Sequence, residues 1–247
     1  MLRPTTLAAA LAAILATALP TAVLAVNGGA CNRPYDPAFP AADFAGPSGA
    51  PNAIDNRYFP LVPGTTFVYE GFKEGAEMRN VVVVTGATKT ILGIRATVVR
   101  DTAFEDGIKA EDTFDWYAQD DAGNVWYMGE DTREFDEEGN VVSTEGSWEA
   151  GVDGARPGII MQARPRPGTT YRQEYSVDVA VDMATVINRH RHATVPYGSF
   201  GNVVETKEFS CLEHTLDHKF YAPGVGLIME VGLAAGNERI DLVSVTD

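Results

Sequence analysis

The sequence is poor in positive charge and in long apolar segments. It has 34 acidic residues but only 19 Lys and Arg residues, so its formal net charge is −15. Such a surplus of negative charge argues against binding nucleic acid or anionic lipid through electrostatics, and it suits solubility or a cationic partner. Beyond residue 25, no segment approaches the roughly 18 apolar residues that a membrane-spanning helix needs. We therefore expect a soluble mature protein with no nucleic-acid partner and no membrane span.

The one long apolar segment lies at the N-terminus. Arg3 is followed by an apolar run over 7–19, and polar sequence begins soon after Ala25. This order is typical of a secretory signal peptide, and the apolar run is too short to be a membrane helix. The pattern predicts cleavage near Ala25 and an exported protein, periplasmic or extracellular.

Cysteine is scarce, with only Cys31 and Cys211 in the chain. In the oxidising compartment of an exported protein, an even number of cysteines favours a disulfide. The alternative is a lipoprotein with an acylated Cys31. Ala30 is small, as that modification requires, but no large aliphatic residue stands three positions upstream of the cysteine. We favour a Cys31–Cys211 disulfide and leave the lipid anchor as the alternative.

Motifs of the common enzyme classes are missing. No glycine-rich phosphate loop, zinc-protease helix or nucleotide-binding fingerprint occurs. Residues 197–201 resemble a nucleophile elbow only loosely, because Gly198 stands one place before Ser199 instead of two. A carboxylate pair of the kind that glycoside hydrolases use stays open, because no pattern selects two of the many acids. We favour a binding or envelope-associated protein over a secreted hydrolase that uses carboxylates, with His218 as a candidate base.

What the chain does have is a long internal repeat. The sequence PGTTF at 63–67 recurs as PGTTY at 167–171, and WYA at 116–118 recurs as FYA at 220–222. The offset of 104 residues is far longer than the roughly 20 to 50 residues of a stacked solenoid unit. The pattern predicts a tandem duplication of one β-rich half.

Short β-type runs alternate with turn residues in both halves. Apolar and polar residues alternate over 94–98, and the segments DDAGN at 120–124 and DEEGN at 136–140 are typical of hairpin turns. Residues 180–187 have the apolar spacing of a helix, but the repeat aligns them with a strand over 78–84, so we predict a strand. The fold class is all-β, with two antiparallel repeats forming one barrel or two facing curved sheets. A cavity is expected at the seam between the halves.

The predicted organisation has five parts. The arm is rich in Ala, Pro, Gly and Asn, and the connection holds Gly151, Gly154 and Pro157, which punctuate structure. The two repeats are expected to share one core. The parts are a signal peptide at 1–25, an extended N-terminal arm at 26–57, a first β repeat at 58–142, a connection at 143–162 and a second β repeat at 163–247.

All four histidines lie in the second repeat, and the first repeat has none at the matching positions. Imidazoles are common ligands of Zn²⁺ and Cu²⁺ in exported proteins, and the strands that carry them are expected to be neighbours. The alternative is a solvated polar hairpin at 188–192 and a locally hydrogen-bonded His218. The candidate ligands are His190, His192, His214 and His218, with Glu208, Glu213 and Asp217 as further donors.

Half of the acidic residues lie between Asp101 and Asp153, with only Lys109 and Arg133 among them. Clustered carboxylates can bind Ca²⁺, which takes six to eight oxygen ligands. No calcium-binding loop motif occurs, however, and a solvated acidic face is the simpler interpretation. The candidates are Glu105, Asp106, Glu111, Asp112, Asp115, Asp120, Asp121, Glu130 and Asp131.

Aromatic residues recur at matching positions of the two repeats, which predicts that they form core. An aromatic-lined pocket for an apolar or sugar-like ligand is the alternative. The residues concerned are Trp116, Tyr117, Trp126, Tyr127, Trp148, Tyr171, Tyr175, Phe220 and Tyr221.

Four motifs are distinctive: PLVPG at 60–64, DWYAQDDAGNVWYMGE at 115–130, GSWEAGVDG at 146–154 and HKFYAPGVG at 218–226. Together they resemble an uncharacterised family of bacterial exported proteins. The resemblance extends over nearly all of the chain from Tyr58 onward, and it implies export but no established activity. His218 fits the family pattern, although the chain has DHKFY at 217–221 where relatives have EHKYY, and the other three histidines are not part of it. The sequence determines neither the ligand nor the oligomeric state.

Overall fold

The computed structural model describes residues 29–46, 50–212, 215–233 and 238–247. The predicted signal peptide at 1–25 lies outside these ranges, as do Glu213 and His214. None of the helices in the described ranges is both long enough and apolar enough to cross a membrane.

The described residues form one antiparallel sheet with fifteen strands and a short 3₁₀ helix at Ala41–Phe44. The strands are β1 (Thr66–Lys73), β2 (Ala76–Ile91), β3 (Ile94–Glu105), β4 (Ile108–Gln119), β5 (Val125–Phe135), β6 (Val141–Ser143), β7 (Trp148–Glu149), β8 (Arg156–Met161), β9 (Thr170–Arg172), β10 (Glu174–Tyr175), β11 (Asp182–Val195), β12 (Gly198–Ser210), β13 (Asp217–Ala222), β14 (Gly226–Gly232) and β15 (Glu238–Thr246).

The strand order makes the sheet a nearly closed barrel. It runs β10-β8-β5-β4-β3-β2-β1-β15-β14-β13-β12-β11-β9, while β6 and β7 pair with β5. Strands β9 and β10 are separated only by Gln173, yet β9 pairs with β11 and β10 pairs with β8. Residues 170–175 therefore bring the two ends of the sheet together. The all-β prediction is confirmed, in its single-barrel form.

The two PGTT segments make the same backbone contact. Gly64 N donates to Val84 O at 2.8 Å, and Gly168 N donates to Val186 O at 2.8 Å. In each case the acceptor lies on the long strand that follows, β2 or β11. Two segments that arose by duplication would make matching hydrogen bonds of this kind. The duplication itself stays a prediction.

The predicted turns and the ambiguous strand are confirmed. Asn124 N donates to Asp120 Oδ1 at 2.8 Å, and Asn140 N donates to Asp136 Oδ1 at 2.7 Å. Gly123 has a φ of +89°, which favours glycine at that position of the turn. Most of the segment 180–187 lies in β11, so tertiary pairing overrides its helical spacing.

The N-terminal arm and the connection both pack against the outer face of β4 and β5. Phe44 of the arm is 4% exposed and lies in a core cluster with Trp116, Trp126 and Trp148. The segment 143–162, predicted as a connection, also supplies β7 and β8 to the sheet. This second core covers one side of the acidic half, so the carboxylates on the other side of β4 and β5 face the barrel interior.

Cys31 and Cys211 form the predicted disulfide, with their Cα atoms 5.7 Å apart. A bonded Cys31 has no free thiol, which removes the basis for the alternative of a lipid anchor at this residue. Disulfides persist in oxidising compartments, in agreement with export. The bond ties the arm to the second half of the barrel.

Candidate ligand-binding cavity

The histidines do not assemble into a metal centre in the described part of the chain. His190 and His192 are exposed on β11, whereas His218 lies on β13, and β12 pairs with both strands and separates them. The expectation that these strands are neighbours is wrong. Within the described ranges, which omit His214, no three His, Cys, Asp or Glu residues are placed to hold a metal ion. The predicted zinc or copper site has no support from these residues.

His218 has a local partner instead. Its Nδ1 lies 2.9 Å from Oε1 of Glu205, and the other carboxylate oxygen of Glu205 accepts from Arg191. Glu205 is only 3% exposed, so its two partners compensate a carboxylate removed from water. The predicted further donor Glu208 is bonded to Thr206 and does not join this group. This arrangement agrees with the hydrogen-bonded alternative for His218.

Strand alternation separates the acidic residues predicted as candidate calcium ligands, the set from Glu105 to Asp131. Asp112 accepts two bonds of 2.7 Å from the guanidinium of Arg100, which lowers the pKa of Asp112. Asp120 caps the turn after β4, while Asp115 and Glu130 are directly paired across β4 and β5. These acids therefore do not form one calcium site, because they have different hydrogen-bond partners and lie at separate positions in the sheet.

A cavity of about 220 Å³ lies inside the barrel. Both predicted halves contribute to its wall, in agreement with the expectation of a cavity between them. The wall includes Phe59, Tyr69, Val82 and Tyr117 from the first half, and Tyr221 and Leu227 from the second.

Aromatic rings form one side of this cavity. The ring of Phe59 lies 5.4 Å from that of Tyr117 in an edge-on arrangement and 6.3 Å from that of Tyr221. Tyr117 is in turn stacked on Tyr127 at 4.8 Å. Such pairs hold one another in place, so the rings form a stable wall. The two aromatic predictions are each partly right, since Trp116 lies in a core cluster and its neighbour Tyr117 lines a cavity.

Two aspartates face the cavity, Asp101 on β3 and Asp115 on β4. Burial, together with the nearby carboxylates of Asp115 and Glu111, raises the pKa of Asp101 to about 8. Burial raises the pKa of Asp115 to about 7, although the hydroxyl of Tyr127 donates to it and opposes the shift. The two carboxyl groups therefore retain protons near neutral pH when no cation is close.

Lys219 is the one basic residue among those that line the cavity in the described structure. Its Nζ lies 3.4 Å from Glu208 Oε2 and 3.6 Å from Glu230 Oε2. Burial alone would lower the pKa of Lys219, but these two carboxylates raise it well above its ordinary value. Lys219 is thus charged and already neutralised by its own partners.

Two further carboxyl groups, of Glu130 and Glu174, have raised pKa values. Glu174 accepts from Nε1 of Trp148 at 2.8 Å, and burial with the charge of Asp182 raises the pKa of Glu174 to about 8. Burial and the charge of Glu174 raise the pKa of Glu130 as well. Glu174 therefore retains a proton near neutral pH.

The pKa of Asp101 predicts how stability depends on pH. A folded pKa of about 8, above the ordinary 3.8, means that the folded state binds a proton that the unfolded state loses, so stability falls as pH rises from about 4 to 8. The groups that face Asp101 are Asn80, Glu111, Asp115 and Glu230. We expect Asp101→Asn to gain stability relative to the wild type by about 1 to 3 kcal/mol between pH 5 and pH 8.

Urea unfolding at both pH values measures this gain. The matched control is Asp153→Asn, at an exposed turn residue. Its effect on the free energy of unfolding should be the same at pH 5 and at pH 8. If the free energy of unfolding changed equally with pH in Asp101→Asn and in the wild type, the carboxyl group of Asp101 would be ionised in the folded state at both pH values.

Sequence reasoning did not single out Asn80, Asp101, Lys219 or Glu230. Strand alternation could have indicated two of them, because alternate residues share a face. Asp101 thus lies on the same face as buried Val99, and Lys219 lies on the same face as buried Tyr221. Charged residues that alternate with buried apolar ones on a barrel strand point to a polar interior.

Comparison with known proteins gives a fold similarity of low degree. No protein-family model and no curated protein matches the chain. A proposed exported protein with a YmcC-like fold from Bacteroides fragilis is 14% identical, with a TM-score of 0.45, over 78% of this chain and 100% of its own. A proposed lipoprotein from Parabacteroides distasonis is 11% identical, with a TM-score of 0.41, over 77% of this chain and 99% of its own. Similarity at this level assigns neither family nor function, so the family suggested by the sequence motifs stays a prediction.

Proposed function

We propose that this chain is an exported binding protein that holds a small ligand inside its barrel. The observation that carries the proposal is the interior cavity of about 220 Å³, with aromatic walls and a few convergent polar groups. This combination is typical of small-molecule sites. Export is supported by the signal-peptide pattern and by the Cys31–Cys211 disulfide.

The wall of the cavity carries valines at positions where larger side chains would reduce its volume, Val82 on β2 and Val99 on β3. Side chains of this size leave room for a small molecule, which supports a binding role.

The size of the cavity also bears on the alternative of a hydrolase. An engineered cavity of about 150 Å³ holds one benzene molecule, so this one takes a ligand somewhat larger than benzene. Asp101 and Asp115 face this cavity and are the candidate acid and base of that alternative. A cavity with aromatic walls and a few polar groups is typical of small-molecule binding, which is the function that the geometry supports best.

Filling the cavity is expected to abolish ligand binding. Val82 is half-buried at the cavity wall, so Val82→Trp places an indole where the ligand would lie. Native mass spectrometry of protein purified from the exporting cell should show a bound small molecule in the wild type and none in Val82→Trp. Val142→Trp is the matched control, because Val142 is 61% exposed on β6, away from the cavity.

Retention of the same bound mass by a folded Val82→Trp would contradict a site inside the barrel. Val82→Phe, a smaller change at the same position, guards against a loss of binding that reflects unfolding. It should weaken binding while keeping the circular dichroism spectrum of the wild type.

A further inference from the structure

The cavity has an imbalance of charge. Among its lining residues are three acids, Asp101, Asp115 and Glu230, and one base, Lys219. Lys219 lies within 4 Å of both Glu230 and Glu208, so its charge is already matched. Among the described residues, no Lys, Arg or His forms a salt bridge with Asp101 or Asp115, although the charge of Lys219 acts on Asp115 and lowers its pKa. Neither carboxyl group is directly paired with a cation.

The hydrogen bonds around the two aspartates do not replace a cation. Asp115 is 9% exposed and accepts one bond, from the hydroxyl of Tyr127. Asp101 accepts a long bond of 3.4 Å from Nδ2 of Asn80, and the amide oxygen of Asn80 is buried without a hydrogen-bond partner. This part of the wall is therefore rich in acceptors and short of donors.

The aromatic residues of the wall suit a cation as well. The rings of Phe59, Tyr69, Tyr117 and Tyr221 line the cavity. Aromatic faces attract ammonium groups through the ring quadrupole, most strongly where water is excluded, and they also cover an apolar ligand body. Carboxylates beside aromatic rings are a combination that recognises amines.

We propose that the cavity binds a small organic cation, with an ammonium group at Asp101 and Asp115 and an apolar body against the aromatic wall. This inference rests on the proposed function, since it names the class of ligand for the same cavity. A bare metal ion fits less well, because the described residues contain no group of three metal-ligating side chains.

Three probes of similar size and different charge test the inference: benzylammonium, benzyl alcohol and benzoate. Titration calorimetry at pH 7 should show that benzylammonium binds at least tenfold more tightly than benzyl alcohol, and that benzoate binds most weakly. Asp115→Asn and Asp101→Asn should each weaken benzylammonium at least tenfold and leave benzyl alcohol within threefold. Asp153→Asn, at an exposed turn, should leave all three affinities unchanged.

Proton linkage provides an independent readout. Binding of a cation ionises the carboxyl pair, which faces Glu111, Glu230, Lys219 and the hydroxyl of Tyr127. Benzylammonium should release protons at pH 7, seen as a binding enthalpy that depends on the buffer, and should bind more tightly at pH 8 than at pH 6. Benzyl alcohol should show neither effect.

The outcomes separate the inference from the proposed function. If benzyl alcohol or benzoate binds as tightly as benzylammonium and Val82→Trp abolishes that binding, the cavity is a ligand site but not one for cations. If benzylammonium binds and Val82→Trp leaves its affinity unchanged, the cation lies elsewhere and the inference is wrong. Failure of all three probes to bind contradicts the inference, whereas the proposed function is contradicted only if native mass spectrometry finds no bound molecule that Val82→Trp removes.

Discussion

Replacing both cysteines by serine is expected to lower the free energy of unfolding by about 3 to 5 kcal/mol. The disulfide joins residues 180 positions apart. In the chain-entropy model, closing so long a loop stabilises the folded state by about 5 kcal/mol, mainly by restricting the unfolded chain. The expected loss is somewhat smaller because Arg172 still holds the arm, through bonds of 2.7 and 3.1 Å to the carbonyls of Cys31 and Arg33.

Urea unfolding of Cys31→Ser/Cys211→Ser measures the effect, and wild type treated with a reductant is its control. The two should have the same unfolding midpoint, since both lack only the covalent bond. Unchanged stability in the double variant would mean that arm and barrel are held by their other contacts alone.

Lys219→Met is expected to have a comparable effect, a loss of about 3 to 5 kcal/mol at pH 7. Lys219 is the cation shared by Glu208 and Glu230, and removing one partner of a buried ion pair leaves the other charge uncompensated. Glu208 keeps hydrogen bonds from Thr206 and Tyr221, so Glu230 bears more of the loss. Methionine preserves most of the side-chain length, which keeps the effect one of charge.

A second substitution shows whether the loss is electrostatic. Combining Lys219→Met with Glu230→Gln removes the orphaned charge and should restore at least a third of the lost stability. Thermal and urea unfolding of the two single variants and the double variant supply the cycle. Additive losses would show that Lys219 stabilises the barrel through packing and not through its charge.

The fold could largely be predicted from the sequence because its signals are local. Turn segments such as 120–124 and 136–140 fix hairpins through side-chain bonds to their own backbone, and strand alternation needs no knowledge of the partner strand. The disulfide followed from two cysteines and an export signal. What local signals did not give is the way in which residues 170–175 pair with both ends of the sheet and close it.

The site could not be predicted because it depends on which face each residue takes and which strands are neighbours. Asp112 and Asp115 lie three positions apart, yet one meets Arg100 and the other faces the cavity. Strand alternation places Asp115 and Tyr117 on the same face of β4, but only the arrangement of the neighbouring strands shows that this face is the cavity wall. The prediction that the histidine-bearing strands are neighbours failed for a related reason. Strands β11 and β13 are two strand spacings apart, roughly 10 Å.

A crystal structure of the protein purified from its native compartment tests the central claim most directly. The account predicts electron density for a small molecule inside the barrel, with a nitrogen within hydrogen-bond distance of Asp101 or Asp115 and an apolar part against Phe59 and Tyr117. A cavity that holds only ordered water, in protein shown by mass spectrometry to carry no ligand, would contradict it.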